Sequence, residues 1–202
     1  MNLQKKLANL LATTKRKRPY YCEVEYLEST GTQYIGTGVV FSDSSHTYKW
    51  DIGAQAVNTS DTNYNWFCGF FEGGAYSAGV YSDTTTNYNF YAVGTYYQNG
   101  QAITDPLTSG DKYGIIRNIF TITNFAGTLP IILFGRNQSN GVKCEATKKI
   151  FYFKIYDNDT LVRDFIPVID WNMKPCMYDK VSGELFYNKG TSDFVAGLIR
   201  EK

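Results

Sequence analysis

Residues 148–157, KKIFYFKIYD, give the clearest structural signal in the chain. Aromatic and β-branched side chains alternate along this stretch, and successive side chains of an extended strand point to opposite faces of a sheet. We therefore predict a strand here. The side chains expected in the core are Phe151, Phe153 and Ile155, and those expected on the opposite face are Tyr152 and Lys154.

The residues that follow this strand indicate how the chain continues. Asp157, Asn158 and Asp159 predict a hairpin turn, because Asp and Asn tolerate the backbone of tight turns. Their oxygens could instead bind calcium, which takes several oxygen ligands, but a turn of this composition needs no metal. The chain then returns through residues 160–166, and Pro167 predicts either the end of that strand or a place at a sheet edge.

Further short strands recur in both directions from this hairpin, between clusters of Gly, Asn, Asp, Ser and Thr. The sequence contains 17 Tyr, 13 Phe and 18 Gly, a composition that favours pleated sheets joined by tight turns. We predict an all-β sandwich. The other candidate strands are residues 21–27, 33–40, 46–53, 64–71, 76–81, 87–97, 112–123 and 130–134, with two more inside 176–187.

Charge divides the chain into a basic N-terminal arm, residues 1–19, and an acidic body, residues 20–202. Residues 1–18 carry six Lys and Arg and no acid, which leaves 14 Lys and Arg in the rest against 19 Asp and Glu, a net charge of −5. A basic tail on an acidic body indicates a separate partner for the tail. A solvated leader that aids solubility is the alternative.

Four leucines of the arm fall on one face of a predicted short helix that ends before Pro19. A helix of about ten residues is marginal by itself in water, so we expect this face to dock on another chain. The basic run that follows has only four charges, which favours protein docking over specific nucleic-acid recognition. The residues expected to dock are Leu3, Leu7, Leu10, Leu11, Lys15, Arg16, Lys17 and Arg18.

The four cysteines, Cys22, Cys68, Cys144 and Cys176, lack C-x-x-C spacing and form no ordinary zinc site with the single His46. A lone histidine is ordinarily a surface or hydrogen-bonded residue. The sequence has neither the apolar region of a secretory signal nor a stretch near the about 20 apolar residues of a membrane span. We expect free thiols in a reducing cytosol, with no metal, other cofactor or membrane partner.

Two stretches near the ends of the body resemble a known family. Residues 26–35, YLESTGTQYI, followed by Thr37-Gly38, resemble the opening motif of concanavalin A-like (LamG-type) jelly rolls in bacteriophages and prophages of gut bacteria. Residues 134–137 resemble the end of the family's central strand. The family's C-terminal signature is resembled by residues 155–157, 161–167, 177–183, 186–188, 190–191 and 194–197.

This resemblance spans residues 24–197 and implies a jelly-roll β-sandwich in a virion or tail-associated structural protein, in some cases one that binds glycans. It implies no catalytic residues. The sequence departs from the family pattern at two positions, Gly36 in place of Asp and Lys189 in place of Ala. The first departure removes a carboxylate that could cap a loop or contact a ligand.

Three glutamates are the strongest candidates for catalysis. Glu23, Glu25 and Glu28 read E-x-E-x-x-E, which resembles the E-x-D-x-x-E strand of laminarinase-type glycoside hydrolases. A retaining glycosidase needs two carboxylates about 5–5.5 Å apart. These residues, however, lie on the first strand of the body, where alternating Glu is typical of the polar face of an antiparallel sheet. We therefore expect no catalysis.

The aromatic middle, residues 64–97, is the best ligand candidate, because exposed rings bind sugars or protein partners. Most of its rings are expected in the core. Those expected at the surface are Tyr76, Tyr96 and Tyr97, because loops flank them.

The sequence thus predicts a non-enzymatic phage virion protein, a capsid-surface decoration, fibre or tail component, assembled in the host bacterial cytoplasm. We expect it to contact other virion proteins through the arm, to form homo-oligomers and to bind surface glycans. The alternatives are a stand-alone carbohydrate-binding module and a jelly-roll glycoside hydrolase.

Overall fold

The computed structural model describes residues 18–57, 65–72, 77–82, 88–92, 95–98, 101–102, 115–143 and 147–201. For residues 65, 88–92, 95–98 and 101–102 it describes the backbone only. Within these ranges all regular structure is β-structure, and no helix is present that could cross a membrane. The prediction of an all-β fold is confirmed for this part of the chain.

The strands, in chain order, are β1 (Tyr20–Glu23), β2 (Leu27–Ser29), β3 (Ile35–Gly36), β4 (Tyr48–Ala56), β5 (Asn65–Phe71), β6 (Ser77–Ser82), β7 (Tyr88–Ala92), β8 (Thr95–Gln98), β9 (Gln101–Ala102), β10 (Ile116–Thr123), β11 (Ile132–Leu133), β12 (Arg136–Gln138), β13 (Gly141–Lys143), β14 (Lys148–Asp157), β15 (Thr160–Asp170), β16 (Pro175–Asp179), β17 (Glu184–Phe186) and β18 (Val195–Ala196). The predicted strand 87–97 is therefore two strands, β7 and β8, and they belong to different sheets. The predicted strand 33–40 is reduced to β3.

Two sheets enclose the core. The larger has the order β17-β16-β15-β14-β4-β10-β8-β9, with β1 beside β15 and β2 between β14 and β18. The smaller has the order β13-β12-β5-β11-β3, with β6 and β7 extending from β5. Alternate residues of β4 supply Tyr48, Trp50 and Ile52 to the core, where Trp50 meets Phe41 from the loop before the strand. This arrangement is that of a β-sandwich.

A β-bulge interrupts β14 and changes which of its residues face the core. Opposite β4, Ile150 pairs with Ala54 and Tyr152 pairs with Gly53, so Phe151 is an extra residue without a cross-strand partner. A bulge of this kind shifts the alternation of side chains by one position. Gly53 is required here, because a Cβ at this position would lie 2.5 Å from the Tyr152 ring.

The predicted register of this strand is therefore correct on one side of the bulge only. Phe153 and Ile155 are fully buried, as predicted. The placement of Phe151 in the core is wrong, because it is half-buried and contacts the Tyr26 ring at a centroid distance of 5.6 Å. Ahead of the bulge the side chain that enters the core is Ile150.

The prediction for Pro167 is also wrong. It neither ends β15, which runs on to Asp170, nor lies on an edge strand, because β16 pairs with one side of β15 and β14 and β1 pair with the other. The Pro167 carbonyl accepts a hydrogen bond from the Val24 N–H at 3.1 Å. On this side of β15 the neighbouring strand changes along its length: β14 pairs as far as Phe165, and β1 pairs from Val168 onward. Pro167, which has no N–H to donate, lies at this change.

The stretches that carry the family resemblance pack on each other at the two ends of the body. Glu28 and Leu27 of β2 pair with Val195 and Ala196 of β18, and an isolated bridge between Val24 and Ile199 extends this contact. Residues near the start of the body and residues near its end therefore pair with each other in the larger sheet.

Side-chain hydrogen bonds reinforce this end-to-end contact. Buried Gln33 accepts from the Thr30 N–H at 2.9 Å and donates to the Asp193 carbonyl at 3.1 Å. Asn188 accepts from the Tyr34 and Gly190 N–H groups at 3.0 and 2.8 Å. These motif residues hold the chain ends in place, so their occurrence in the sequence is explained by the fold.

Candidate interaction surface

Most residues of the predicted docking arm lie outside the described residues. These are Leu3, Leu7, Leu10, Leu11, Lys15, Arg16 and Lys17. Arg18 is described, and it is half-buried against the body. Its guanidinium donates to the Tyr21 carbonyl at 2.8 Å and lies 5.2 Å from the Tyr20 ring centroid. The junction between the arm and the body is therefore fixed at Arg18.

The predicted surface tyrosines cannot be placed by their side chains. Tyr76 lies outside the described residues, and Tyr96 and Tyr97 belong to β8, of which only the backbone is described. In that backbone Tyr96 pairs with Ile122 and Tyr97 with Thr121 of β10. Their proposed contact with a glycan or a partner remains a prediction.

Exposed rings occur instead at the junction with the arm. Trp171, at the tip of the β15–β16 hairpin, is 39% exposed, and its indole N–H donates to the Arg18 carbonyl at 3.4 Å. Tyr21 is 45% exposed and meets Trp171 edge to face at 5.5 Å, and Met173 is 63% exposed. We call Arg18, Tyr21, Trp171 and Met173 the root cluster. Nothing in the sequence distinguishes the rings of Tyr21 and Trp171 from aromatic rings of the core.

The hairpin tip that carries Trp171 is held by one buried carboxylate. Asp170 accepts hydrogen bonds from the N–H groups of Asn172 and Lys174, both at 2.8 Å, and from the Tyr187 hydroxyl at 2.9 Å. Burial by itself would raise the pKa of Asp170, but these hydrogen bonds outweigh burial and lower it. The same contact and burial raise the pKa of Tyr187 to about 12.

Met173 adds a second indication that the tip has a defined shape. Its φ angle is 63°, in the left-handed region that a bulky side chain rarely adopts. The Met173 N–H donates to the Asp170 carbonyl at 3.1 Å, which maintains this conformation. A strained, exposed Met beside an exposed Trp and an Arg is a composition enriched in protein–protein interfaces.

The side chains of five rings of the aromatic middle are described, and three of these, Trp66, Phe67 and Phe70, are buried. Phe67 and Phe70 are fully buried between the sheets. Trp66 stacks on Tyr81 at 5.2 Å and receives the Arg136 guanidinium at 5.4 Å. It is only 4% exposed, so it is not available as a sugar-binding platform.

The predicted hairpin turn is confirmed, with positive φ at both Asn158 and Asp159. Its side chains contact a neighbouring loop. Asn158 accepts from the Thr47 N–H at 2.9 Å, and Asp159 pairs with Lys49. His46 lies in the same loop, with its Nδ1 at 2.7 Å from a carboxylate oxygen of Asp157. Neither atom of this contact has a hydrogen bond, and the His46 side chain is 35% exposed, so the geometry agrees with the surface position predicted for this histidine.

The three glutamates of the hydrolase-like motif have separate surroundings. Glu23, on β1, accepts from the Tyr20 hydroxyl at 2.8 Å, and Glu25 is exposed after that strand. Glu28, on β2, lies 3.7 Å from the Lys149 ammonium. The strands that carry them have different neighbours, because β1 pairs with β15 whereas β2 lies between β14 and β18.

The two departures from the family pattern contact each other. A Cβ at Gly36 would lie 3.2 Å from the Lys189 ammonium nitrogen. The lysine side chain therefore passes over the position at which the family pattern has a carboxylate. Asp179, a residue of the C-terminal signature, is fully buried and accepts from the Asp164 N–H at 2.8 Å, so it too has a structural role.

One open depression of about 500 Å³ is lined by Val40, Ser42, Glu72, Ala126, Gly127 and Thr128. Glu72, the ionisable group among the described lining residues, accepts from the N–H groups of Thr128 and Leu129 at 2.8 and 2.6 Å. Glu72 thus fixes the loop that forms the wall.

Burial also determines the reactivity of the described cysteines. Cys22, Cys68 and Cys176 are buried free thiols, and burial raises the pKa of Cys68 and of Cys176 to about 12. Because the thiolate is the reactive form, these two are unreactive. Within the described ranges no three His, Cys, Asp or Glu side chains gather as metal ligands.

Comparison of the chain with protein-family models, with curated proteins and with solved structures gave no match.

Proposed function

We propose that this chain is a structural protein of a bacteriophage virion, in which a concanavalin A-like jelly-roll body is attached to other virion proteins by the basic N-terminal arm. It acts at the surface of the capsid or on the tail and has no enzymatic activity. The observation that carries this proposal is the separation of charge: an arm of +6 without acids, joined at a fixed point to a body of −5.

One feature of the body supports a binding role. The root cluster places exposed Tyr21, Trp171 and Met173 beside Arg18, at the base of the arm. Arg, Trp, Tyr and Met are enriched in interfaces between proteins.

Deletion of residues 1–18 in the phage that encodes the chain tests this proposal. The truncated body should be folded and soluble, with a circular dichroism spectrum of β-structure, and should be missing from purified particles. A second, full-length variant has Lys15, Arg16 and Lys17 changed to Ser. It should attach more weakly than the wild type and with less dependence on salt. Normal incorporation of the truncated body would refute the proposal.

A carbohydrate-binding module is the second candidate, and the exposed Tyr21–Trp171 pair favours it, because aromatic faces stack on sugar rings. Binding of soluble polysaccharides that is lost in Trp171→Ala, together with normal virions in the absence of the arm, would support this candidate over the first.

A further inference from the structure

The chain carries an exposed apolar surface at the opposite end of β1 from the arm. Val195, Leu198 and Ile199 are 50%, 75% and 58% exposed. We call these three residues the C-terminal edge. Within the described part of the chain their strand has one neighbour, the segment from Glu23 to Glu28. A strand edge with exposed apolar side chains is a site at which another chain binds.

The charges around the C-terminal edge favour a basic partner. The carboxylates of Glu25 and Glu201 are exposed beside it. Two cations lie nearby. The Lys149 ammonium is 3.7 Å from the Glu28 carboxylate and 4.2 Å from the Tyr26 ring centroid, and the Arg200 guanidinium donates to the carbonyls of Glu25 and Phe151 at 3.1 and 3.4 Å. Glu25, Glu28 and Glu201 against Lys149 and Arg200 leave the described residues here with one more acid than base, beside exposed apolar side chains.

The arm has the complementary chemistry. Residues 1–17 contain Leu3, Leu7, Leu10 and Leu11, followed by the basic run Lys15-Arg16-Lys17, and no acid. We propose that the arm of one copy binds the C-terminal edge of a second copy, with its leucines on the apolar side chains and its basic run against Glu25 and Glu201. This inference rests on the proposed function, in which the arm is the docking element, and it names the partner.

Geometry favours a second copy over the chain's own edge. Arg18 is fixed at the start of β1, and Glu25 lies five residues beyond Tyr20, about 17 Å away along an extended strand. Lys15, the first residue of the basic run, reaches at most about 11 Å of backbone from Arg18. Only a fully extended arm would bring a basic side chain to Glu25 of its own chain, whereas the arm of a neighbour is not limited by this attachment point.

Two full-length variants test the proposal by sedimentation. The edge variant carries Leu198→Asp and Ile199→Asp, and the arm variant carries Leu7→Asp and Leu10→Asp. The wild-type chain should self-associate with a strength that falls as salt rises. Each variant should associate at least tenfold more weakly. Val181→Asp is the matched control, an apolar residue that is 47% exposed and lies outside both the root cluster and the proposed contact, and should associate like the wild type.

Mixing the two variants gives the decisive measurement. Each keeps the half of the contact that the other has lost, so the mixture should form a 1:1 dimer in native mass spectrometry while neither variant dimerises alone. As a second measurement, excess synthetic peptide of residues 1–17 should dissociate the wild-type assembly, which keeps the test valid if the edge variant folds poorly.

A monomeric wild type, or a mixture that stays monomeric, would overturn this inference. The result is separable from the proposed function. A monomeric chain that still enters virions through its arm refutes the inference alone, and a self-associating chain that never enters virions refutes the function alone.

Discussion

At the scale of single residues, Lys148 departs furthest from what its side-chain chemistry predicts. It is fully buried, and its ammonium donates to the carbonyls of Trp66 and Phe134 at 2.8 and 3.1 Å. Trp66 is on β5 of the smaller sheet, whereas Lys148 begins β14 of the larger one. A charged donor therefore links the two sheets inside the sandwich, where an apolar side chain would be expected.

Lys148→Met should destabilise the body by about 1–3 kcal/mol, because it keeps the side-chain volume but leaves two buried carbonyls without their donor. Lys154→Met is the matched control. It lies on the same strand but on the outer face, 3.7 Å from Asp51, in an ion pair that contributes about 1 kcal/mol or less. Urea unfolding measures both. Equal effects would show that the internal lysine does not stabilise the sandwich.

Asp170 should make the stability of the hairpin tip dependent on pH. Its pKa is lower in the folded body than the about 3.9 of an unfolded chain. Its contribution to stability is therefore complete above pH 4 and is lost as the pH falls through the folded pKa. Melting temperatures of the wild type and Asp170→Asn measured between about pH 6 and 2 should converge on acidification. Parallel curves would exclude this carboxylate as a source of acid sensitivity.

At the scale of elements, β14 shows what periodicity predicts and what it misses. Alternation correctly predicted the strand and the burial of Phe153 and Ile155, and the Asp and Asn residues that follow correctly predicted the turn at Asn158-Asp159. It could not predict the bulge at Phe151, because an extra residue leaves no mark in a sequence that is apolar on both sides of it. The same limit applies to Pro167, since the change of neighbouring strand that accommodates it is a tertiary feature.

Two phenylalanines of β14 provide the test of this register. Phe153→Ala should cost about 3–5 kcal/mol, because it opens a cavity in a closed core. Phe151→Ala, at the bulge, should cost about 1 kcal/mol, since the ring is half-buried beside Tyr26. Chemical denaturation of the two variants gives the comparison. A larger loss of stability in Phe151→Ala than in Phe153→Ala would show that the side chains of β14 alternate without a bulge.

The candidate site was less predictable than the fold. The charge of the arm is visible in the sequence because six basic residues occur without an acid. The root cluster is not visible in the sequence, since Trp171 and Met173 are residue types that are usually found in the core. Their position at the tip of the β15–β16 hairpin shows that they are exposed. Surface position depends on topology. The sequence placed Tyr96 on a strand within residues 87–97, but it could not show that this part of the strand is separate and pairs with β10.

At the scale of the whole molecule, the contact between the chain ends determines whether the larger sheet is complete. Gly190 allows this contact, because a Cβ there would lie 1.9 Å from the Thr32 carbonyl oxygen. Both residues belong to the stretches that resemble the phage family. The resemblance thus marks the part of the fold in which backbone segments distant in sequence approach each other most closely.

Gly190→Ala should destabilise the body by about 1–3 kcal/mol or more, because backbone has to move to admit the methyl group. Gly36→Ala is the control in the same region. Its Cβ would meet the end of the Lys189 side chain at 3.2 Å, and that flexible chain can move away. Differential scanning calorimetry compares the two. A smaller effect at Gly190 would mean that the ends are loosely joined.

The pairing of residues 24–28 with residues 195–199 also sets an order in time. During synthesis residues 24–28 emerge long before residues 195–199, with which they pair. Contacts between such distant segments are slow to form, so the larger sheet of a growing chain stays incomplete until residues 195–199 have been made. The surface that would receive a neighbour's arm does not exist until synthesis reaches it, and chains still on the ribosome are thereby kept from receiving one another's arms.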